Sequence, residues 1–460
     1  MKLLQNTLRS YAWGSVSAMA ELFGYEHTGK PEAELWIGAH ADSPSLALTG
    51  SGERVRLDAL IASDPQRILG EEVARRFDGR LPYLMKVLAA GSPLSLQVHP
   101  NISQATAGYS DENARGVPRN AGHRNYKDSN HKPEMIFALS RFEALCGFRP
   151  VDEAAVTFAE LAGLLPTGSP EARLLTTIAA DLLGNGRPSA HTNSGDPDGP
   201  QGPTPVEDGL RAGFSRLFSE PELVSRIIES VARMRVPESQ ISGELRTVAD
   251  LHSHYPGDPG ALVALLLNRV VLQPGESLYL PAGNIHAYLS GLGIEVMASS
   301  DNVLRGGLTP KHVDVAELLK TIVFNSISPP LLTATYTPSG QEMYRPPFEE
   351  FQLQRIELSA PEVEESPGTD DKVHTSPTSH APLIQNGPTL VLAVQGKVSL
   401  RSHKGTLQLN RGESAFIPAD EGPVIVQTER HEGAGAGALA FAVTVGARVS
   451  GAATASKDNT

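Results

Sequence analysis

Cysteine is almost missing from this chain. One residue, Cys146, occurs in 460, so no intrachain disulfide can form and a cysteine-rich zinc site is excluded. Any bound metal must draw its ligands from histidine, carboxylate or amide side chains. Long apolar runs are missing as well. The best, residues 261–272, is short and broken by Asn268-Arg269, under the ~20 residues of a membrane span. The beginning, Met1-Lys2-Leu3-Leu4-Gln5-Asn6, turns polar after two leucines and lacks the apolar centre of a secretory signal. Positive charge is in deficit: 39 Lys and Arg against 52 Asp and Glu leave a net charge of −13. Such a chain has no broad electrostatic footprint for nucleic acid or an anionic membrane, but a local basic pocket can still hold a phosphorylated small molecule. The expectation is a reducing, cytoplasmic compartment, no nucleic-acid or membrane partner, and no obligate protein partner.

At about 100–200 residues per domain, the length allows two to four units. Glycine (43) and proline (35) make up about one residue in six, which favours many turns and short strands. The first 150 residues read mostly as strand and turn. Leu94-Ser95-Leu96-Gln97-Val98-His99 alternates apolar and polar residues, predicting a half-buried strand with Ser95, Gln97 and His99 on one face. That face is suited to the inside of a barrel. From Val151 the period becomes helical. Ser169-Pro170-Glu171 predicts an N-cap with proline at the first position, followed by Leu174, Leu175, Ile178, Leu182 and Leu183, with Gly184 as the stop. Ser219-Glu220-Pro221-Glu222 reads as a capping box ahead of Leu223, Ile227, Val231 and Met234. Residues 261–267 add another helical run. Between these helices, residues 185–205 contain nine Gly or Pro and no aliphatic residue larger than alanine. Such a segment cannot offset its ordering entropy by burial and reads as a mobile loop. Residues 362–380 are a second loose stretch, and the tail after Ser450 reads as frayed.

Strand patterns return at Val270 and from Leu390 to Val445, and two segments there match. Residues 272–282 and 409–419 both read Leu-x-x-Gly-Glu-Ser, three mostly apolar residues, Pro-Ala. Each predicts a glycine turn, a short buried strand and a proline stop. The copies then diverge: the first continues Gly283-Asn284-Ile285-His286, the second Asp420-Glu421-Gly422-Pro423. A duplicated β-barrel whose second copy lost a histidine explains this; a chance match of turn signals is the alternative.

Gly275-x5-Pro281-x-Gly283-x2-His286-x3-Ser290 resembles the second cupin motif, with serine at a position that is usually asparagine. Gly91-x5-Gln97-x-His99 has the spacing of the first motif, with glutamine for its first histidine. The glutamate that usually follows within a few residues is displaced. Asp111-Glu112 come first, and Glu134 is the better candidate. The match narrows further. Tyr126-x-Asp128-x-Asn130-His131-Lys132-Pro133-Glu134-Met135 resembles the first signature of type I phosphomannose isomerases. His286-Ala287-Tyr288, Gly291 to Glu295 and Met297 to Lys311 resemble the second. Trp13-Gly14, Glu34-Leu35-Trp36-Ile37-Gly38, Lys86-Val87-Leu88 and Ser95 to Pro100 match further motifs of that family. The resemblance covers about residues 13–311; the last third matches only as a degenerate barrel.

The resemblance implies a mainly β fold of two cupin jelly-roll barrels, the second degenerate, with a helical domain. The units would be 1–150 with 269–320, a helical domain at 151–268, a second barrel at 321–450 and a tail at 451–460. It implies reversible conversion of mannose 6-phosphate to fructose 6-phosphate through an enediol, serving GDP-mannose synthesis and mannose catabolism. Gln97, His99, Glu134 and His286 would hold one divalent metal, a mixed N/O set that suits zinc, with manganese and cobalt as alternatives. Arg305 would stabilise developing negative charge or hold phosphate. Lys132 and Glu295 are acid/base candidates, and Ser95, Lys86 and His131 are substrate- or phosphate-side candidates. An iron-dependent cupin dioxygenase and a non-catalytic sugar-binding cupin are the rivals. The first would favour a His-x-His pair, and the second has no need of Arg305 and the ligand set together.

Overall fold

A computed structural model describes residues 1–50, 52–184, 204–235, 240–359, 379–428 and 437–447. Alternating apolar residues at both ends of the chain form sheets, and the 3.6-residue period of the middle forms helices. In the larger, ten-stranded sheet, Leu267–Leu272, Phe142–Phe148, His286–Ala298, Tyr83–Ala90, Glu34–Gly38 and Thr7–Arg9 lie side by side. The strand His286–Ala298 holds it together. Its first part pairs with Phe142–Phe148, and its second part pairs with Glu134–Ala138 on one edge and Tyr83–Ala90 on the other. The register shifts between Tyr288 and Ser290, and Gly291 follows with φ +122°. A Cβ there would lie 2.7 Å from the Arg141 carbonyl, so only glycine lets the strand turn at this point. The sheet therefore curls, bringing residues from distant strands onto one concave face.

The two faces of this sheet have different fates. Met85, Val87, Phe137, Ile294 and Val296 point into a core shared with Leu390, Leu392, Phe416 and Phe441 of the last third. Leu88, Ile136, Cys146, Leu278 and Tyr288 form a separate cluster on the other face. By strand alternation, Lys86, Glu134, His286 and Glu295 belong with that second set.

The nine-stranded sheet departs from the division read from the sequence. It contains Gln352–Leu358, Thr389–Gln395, Ser414–Ile417 and Ala438–Thr444, but also Lys2–Gln5, Leu46–Leu48 and Arg54–Arg56. Lys2–Gln5 pairs with Ser414–Ile417, so the N-terminal strand, assigned by sequence to residues 1–150 of the first unit, completes the sheet of the last third. Pairing across more than 400 residues leaves no local pattern to read. His380–Pro382, Ile425–Thr428, Val398–Ser402 and Gly405–Leu409 form a smaller third sheet.

The two matching segments fold alike. Gly275 and Gly412 both take left-handed φ, +97° and +88°. The Glu276 carboxylate accepts the Gln273 N–H at 2.7 Å, and the Glu413 carboxylate accepts the Asn410 N–H at 2.8 Å. Strands Ser277–Leu280 and Ser414–Ile417 follow.

Helices occupy Val151–Gly163, Pro170–Leu182, Pro205–Ser219, Pro221–Arg233, Ser242–His254 and Gly260–Val263. Ser169 caps its helix by accepting the Ala172 N–H at 3.1 Å. Leu174, Leu175, Ile178 and Leu182 are buried against the other helices. The expected capping box at Ser219 does not form. Ser219 is the last residue of Pro205–Ser219 and its hydroxyl donates to the Arg216 carbonyl. An N-cap must stand outside the helix, and only Glu220 separates this helix from the next. The helical run at 261–267 tightens into a 3-10 turn at Ala264–Leu266, and Leu267 already opens a strand. The expected strand over 94–99 narrows to Gln97–Val98. The N–H groups of Leu94 and Leu96 instead donate to the carbonyls of Tyr288 and Gly307, and Leu94, Leu96 and Val98 are buried as the alternation requires. Residues 185–203 and 362–378 and the tail lie outside the described residues; Thr204 and Pro205 cap and open a helix. Among the described residues no helix is long and apolar enough to cross a membrane.

Candidate metal centre and its surroundings

His99, Glu134 and His286 are buried, and their ligand atoms lie within 4.8 Å of one another. The strand pairings explain the convergence. Gln97 sits opposite His286 across the ladder, so their side chains share a face; His99 follows two residues later. Glu134 opens its strand beside Leu280 and Met297.

The hydrogen bonds decide what this cluster can hold. His99 Nδ1 lies 2.7 Å from the Asn302 carbonyl, and His286 Nδ1 lies 2.9 Å from the Asn284 carbonyl. A carbonyl only accepts, so both Nδ1 atoms carry the proton and both Nε2 atoms turn inward, each offering a lone pair when its ring is neutral. His99 Nε2 lies 3.3 Å from one Glu134 oxygen, and His286 Nε2 lies 3.4 Å from the other. His99 Nε2 is buried and has no hydrogen-bond partner among the described residues. Bare nitrogens facing a carboxylate in a buried site repel unless a cation lies among them. Burial holds the His99 pKa down at about 4, against the pull of Glu134. Burial would raise Glu134, but the Lys132 ammonium keeps it well below the usual carboxylate range. Two imidazole Nε2 atoms and an ionised carboxylate fit a divalent metal such as zinc. Gln97 is half-buried, and its side-chain amide bonds to no other described residue.

Charged residues surround the cluster. Lys132 Nζ is 2.8 Å from Glu134. Lys86, fully buried, is shared between Glu295 at 3.1 Å and Glu34 at 3.2 Å, and lies over the Trp36 ring. Trp36 fixes Glu34 by donating its indole N–H at 2.8 Å. Burial would lower the Lys86 pKa, but Glu295, Glu34 and Glu134 raise it above the ordinary value. Glu295 is raised first by burial, then by Glu134 and Glu34 against the pull of Lys86. His131 faces away, its Nε2 2.5 Å from Glu350 of the last third. Lys86 and His131, both expected on the phosphate side, are thus already engaged with carboxylates. Ser95 is half-buried between the backbone bonds of Leu94 and Leu96.

Arg305 stands opposite Gln97 in the ladder. Among the described residues it makes no hydrogen bond or ion pair, and burial lowers its pKa. Lys311 is lowered by burial and then by Arg305 and Lys127, so three cations share one region. The loop between them is held from the helical unit: Asp258 accepts the N–H groups of Leu308 at 2.8 Å and Thr309 at 3.2 Å. A second cluster, His40, Asp42 and Asp301, is filled differently, because Arg119 bridges both carboxylates at 3.0 and 2.8 Å.

A model of phosphomannose isomerase type I, catalytic domain, matches residues 1–151. The mannose-6-phosphate isomerase of Escherichia coli (strain K12) is 37% identical over 434 residues, spanning 93% of this chain and 97% of that protein. The chain belongs to the mannose-6-phosphate isomerase family. The Rattus norvegicus family member is 33% identical over 444 residues, spanning 91% of this chain and 93% of its own length. Among solved structures, a variant phosphomannose isomerase from Salmonella typhimurium aligns with a TM-score of 0.77 at 33% identity, covering 96% of this chain and 98% of that one. A zinc-bound mannose 6-phosphate isomerase aligns with a TM-score of 0.75 at 33% identity and the same coverage. The sheet-rich architecture with a helical part is therefore that of this isomerase family.

Sequence reasoning passed over several residues of the site in this family member. Glu34 and Lys311 lie inside quoted motifs but carry no local sign of a partner. Asp258 and Asn302 act through backbone groups, which a sequence does not display.

Proposed function

We infer that this chain interconverts mannose 6-phosphate and fructose 6-phosphate, with one divalent metal, best zinc, held by Gln97, His99, Glu134 and His286. The observation that carries the reading is the pair of imidazole Nε2 atoms turned on an ionised, buried Glu134 while each Nδ1 is held by a backbone carbonyl. A bound metal supplies an electrophile that polarises the sugar oxygens without redox change.

The reaction removes a proton from C2 of the open-chain aldose and returns one to C1, with the oxygens exchanging protons through an enediol. Arg305 remains a guanidinium throughout, so it stabilises negative charge on oxygen and is not the base. Lys132, tied to Glu134, and Glu295, raised by burial, are the groups able to hold or move a proton. Lys86 keeps Glu295 in place. Lys311 and Lys127, next to Arg305, support a phosphate position on that side, with Ser95 on the rim.

The matched turns and strands at Gly275 and Gly412 support two cupin-type barrels, the second without the histidine. The first draws on residues 1–150 and 269–320 without the strands Lys2–Gln5, Leu46–Leu48 and Arg54–Arg56, the helical unit on 151–268, and the second on 321–450 together with those three strands. The single cysteine, buried and unpaired, supports a reducing, cytoplasmic setting.

The test is His286→Ala, assayed for bound metal and for fructose 6-phosphate formation in a coupled assay. Both should be lost. Full metal content with a wild-type rate would overturn the assignment.

A further inference from the structure

We propose that Asn302 is the positioning residue that locks the metal ligand His99 and the segment 127–134 into one geometry. Asn302 is fully buried. An asparagine side chain offers two acceptor and two donor positions, and here all of them go to one short stretch of chain, with the Asp128 carboxylate also within 3.3 Å of Nδ2. Its Oδ1 accepts the N–H groups of Lys127 at 2.7 Å and Asp128 at 3.2 Å. Its Nδ2 donates to the carbonyls of Asp128 and Asn130, each at 2.8 Å. The main-chain carbonyl of the same residue accepts His99 Nδ1 at 2.7 Å. One residue thus sets the ring orientation and tautomer of His99. It also holds the strand of chain that reaches Lys132 two residues after Asn130 and Glu134 four residues after it.

Neighbouring bonds reinforce the joint. The Asp128 carboxylate accepts the Ser300 hydroxyl and the Asp301 N–H, both at 2.8 Å. Removing the Asn302 side chain takes the partner from the part-buried N–H groups of Lys127 and Asp128 and from the Asp128 carbonyl, and leaves the Asn130 carbonyl with the Ser300 hydroxyl at 3.2 Å, in a segment whose end carries Glu134. The placement of His99 and Glu134 against each other, not only the fold, depends on that side chain. Partners that orient a ligand typically change metal affinity by about 10–100-fold when removed.

The proposal rests on the metal-centre reading, and zinc affinity, measured by competition with a chromophoric chelator on the full chain, separates the two. Asn302→Ala should raise the zinc Kd by about 10–100-fold and lower kcat even at saturating zinc. Asn302→Asp keeps the size and both accepted bonds but turns an oxygen toward the Asp128 and Asn130 carbonyls. It should weaken zinc to a similar degree, and it carries the test if the alanine variant does not fold. Gln354→Ala is the control for general destabilisation. Gln354 is buried in the distant sheet and bonds the backbone of Pro382 and Ile384. Its loss should lower Tm without moving the zinc Kd. Folded Asn302 variants that bind zinc within twofold of wild type overturn the proposal, as does an equal zinc loss in Gln354→Ala. A wild-type chain that binds no zinc overturns the metal-centre reading itself.

Discussion

Replacing Arg305 by alanine should separate activity from stability. Arg305 is partly buried yet has no hydrogen-bond or ion-pair partner among the described residues, and Lys311 nearby feels it as a like charge. Truncation therefore orphans no buried carboxylate and relieves some repulsion. The stability cost is confined to lost packing of the side-chain stem, on the order of 1 kcal/mol or less. For a chain of this size that is a Tm change of a few degrees at most. The catalytic cost is of another order. Loss of one preorganised donor at a developing oxyanion typically removes about 10²–10³ in kcat, roughly 2.7–4 kcal/mol. The coupled assay on mannose 6-phosphate gives kcat and KM, and thermal melting and zinc content are measured on the same preparation. The expected pattern is a collapsed kcat, unchanged zinc and a Tm within a few degrees of wild type. Arg305→Lys should recover only part of the loss, because the ammonium keeps the charge without the planar fork. An unchanged kcat with a raised KM would refute the reasoning and place Arg305 with the phosphate contacts.

Asp258→Ala removes the acceptor for Leu308 and Thr309 and frees a loop in which Leu308 holds φ +55°. KM should rise by about tenfold, the order expected from lost bonds to a charged acceptor, with zinc content intact; an unchanged KM would detach the helical unit from substrate binding. In metal-free protein, the unfolded chain protonates His99 from its ordinary value of 6.5, while the folded chain does so only at about 4. The unfolded state holds more protons between those values, so this residue's contribution makes stability fall as pH drops from 6.5 toward 4. A melt series should show that slope and His99→Leu should flatten it; the same slope in both would show that it arises elsewhere.

The segments that carry the proposed ligands were readable because spacing carries their geometry. Gln97 and His99 two apart on an alternating segment must share a face, and His286 after a glycine-proline turn begins a strand. Ser169 was legible as a cap because proline and glycine mark both ends of its helix. Ser219 misled because the same four letters fit a cap or a helix end, and the neighbouring helix decided between them. The strand Lys2–Gln5 was placed in the wrong unit because its partner lies at Ser414–Ile417. Glu34 and Asn302 were not picked out, for a common reason. Their roles consist of contacts to an indole, a lysine and backbone groups brought together only by the folded sheet.

The most direct test is a zinc titration of the metal-stripped chain, followed by turnover of mannose 6-phosphate in the same tubes. A single high-affinity site should fill at one zinc per chain, and fructose 6-phosphate formation should rise from background in step with occupancy. Full activity in the stripped protein, or a filled site with no isomerisation, would contradict a metal-dependent isomerase built on His99, Glu134 and His286.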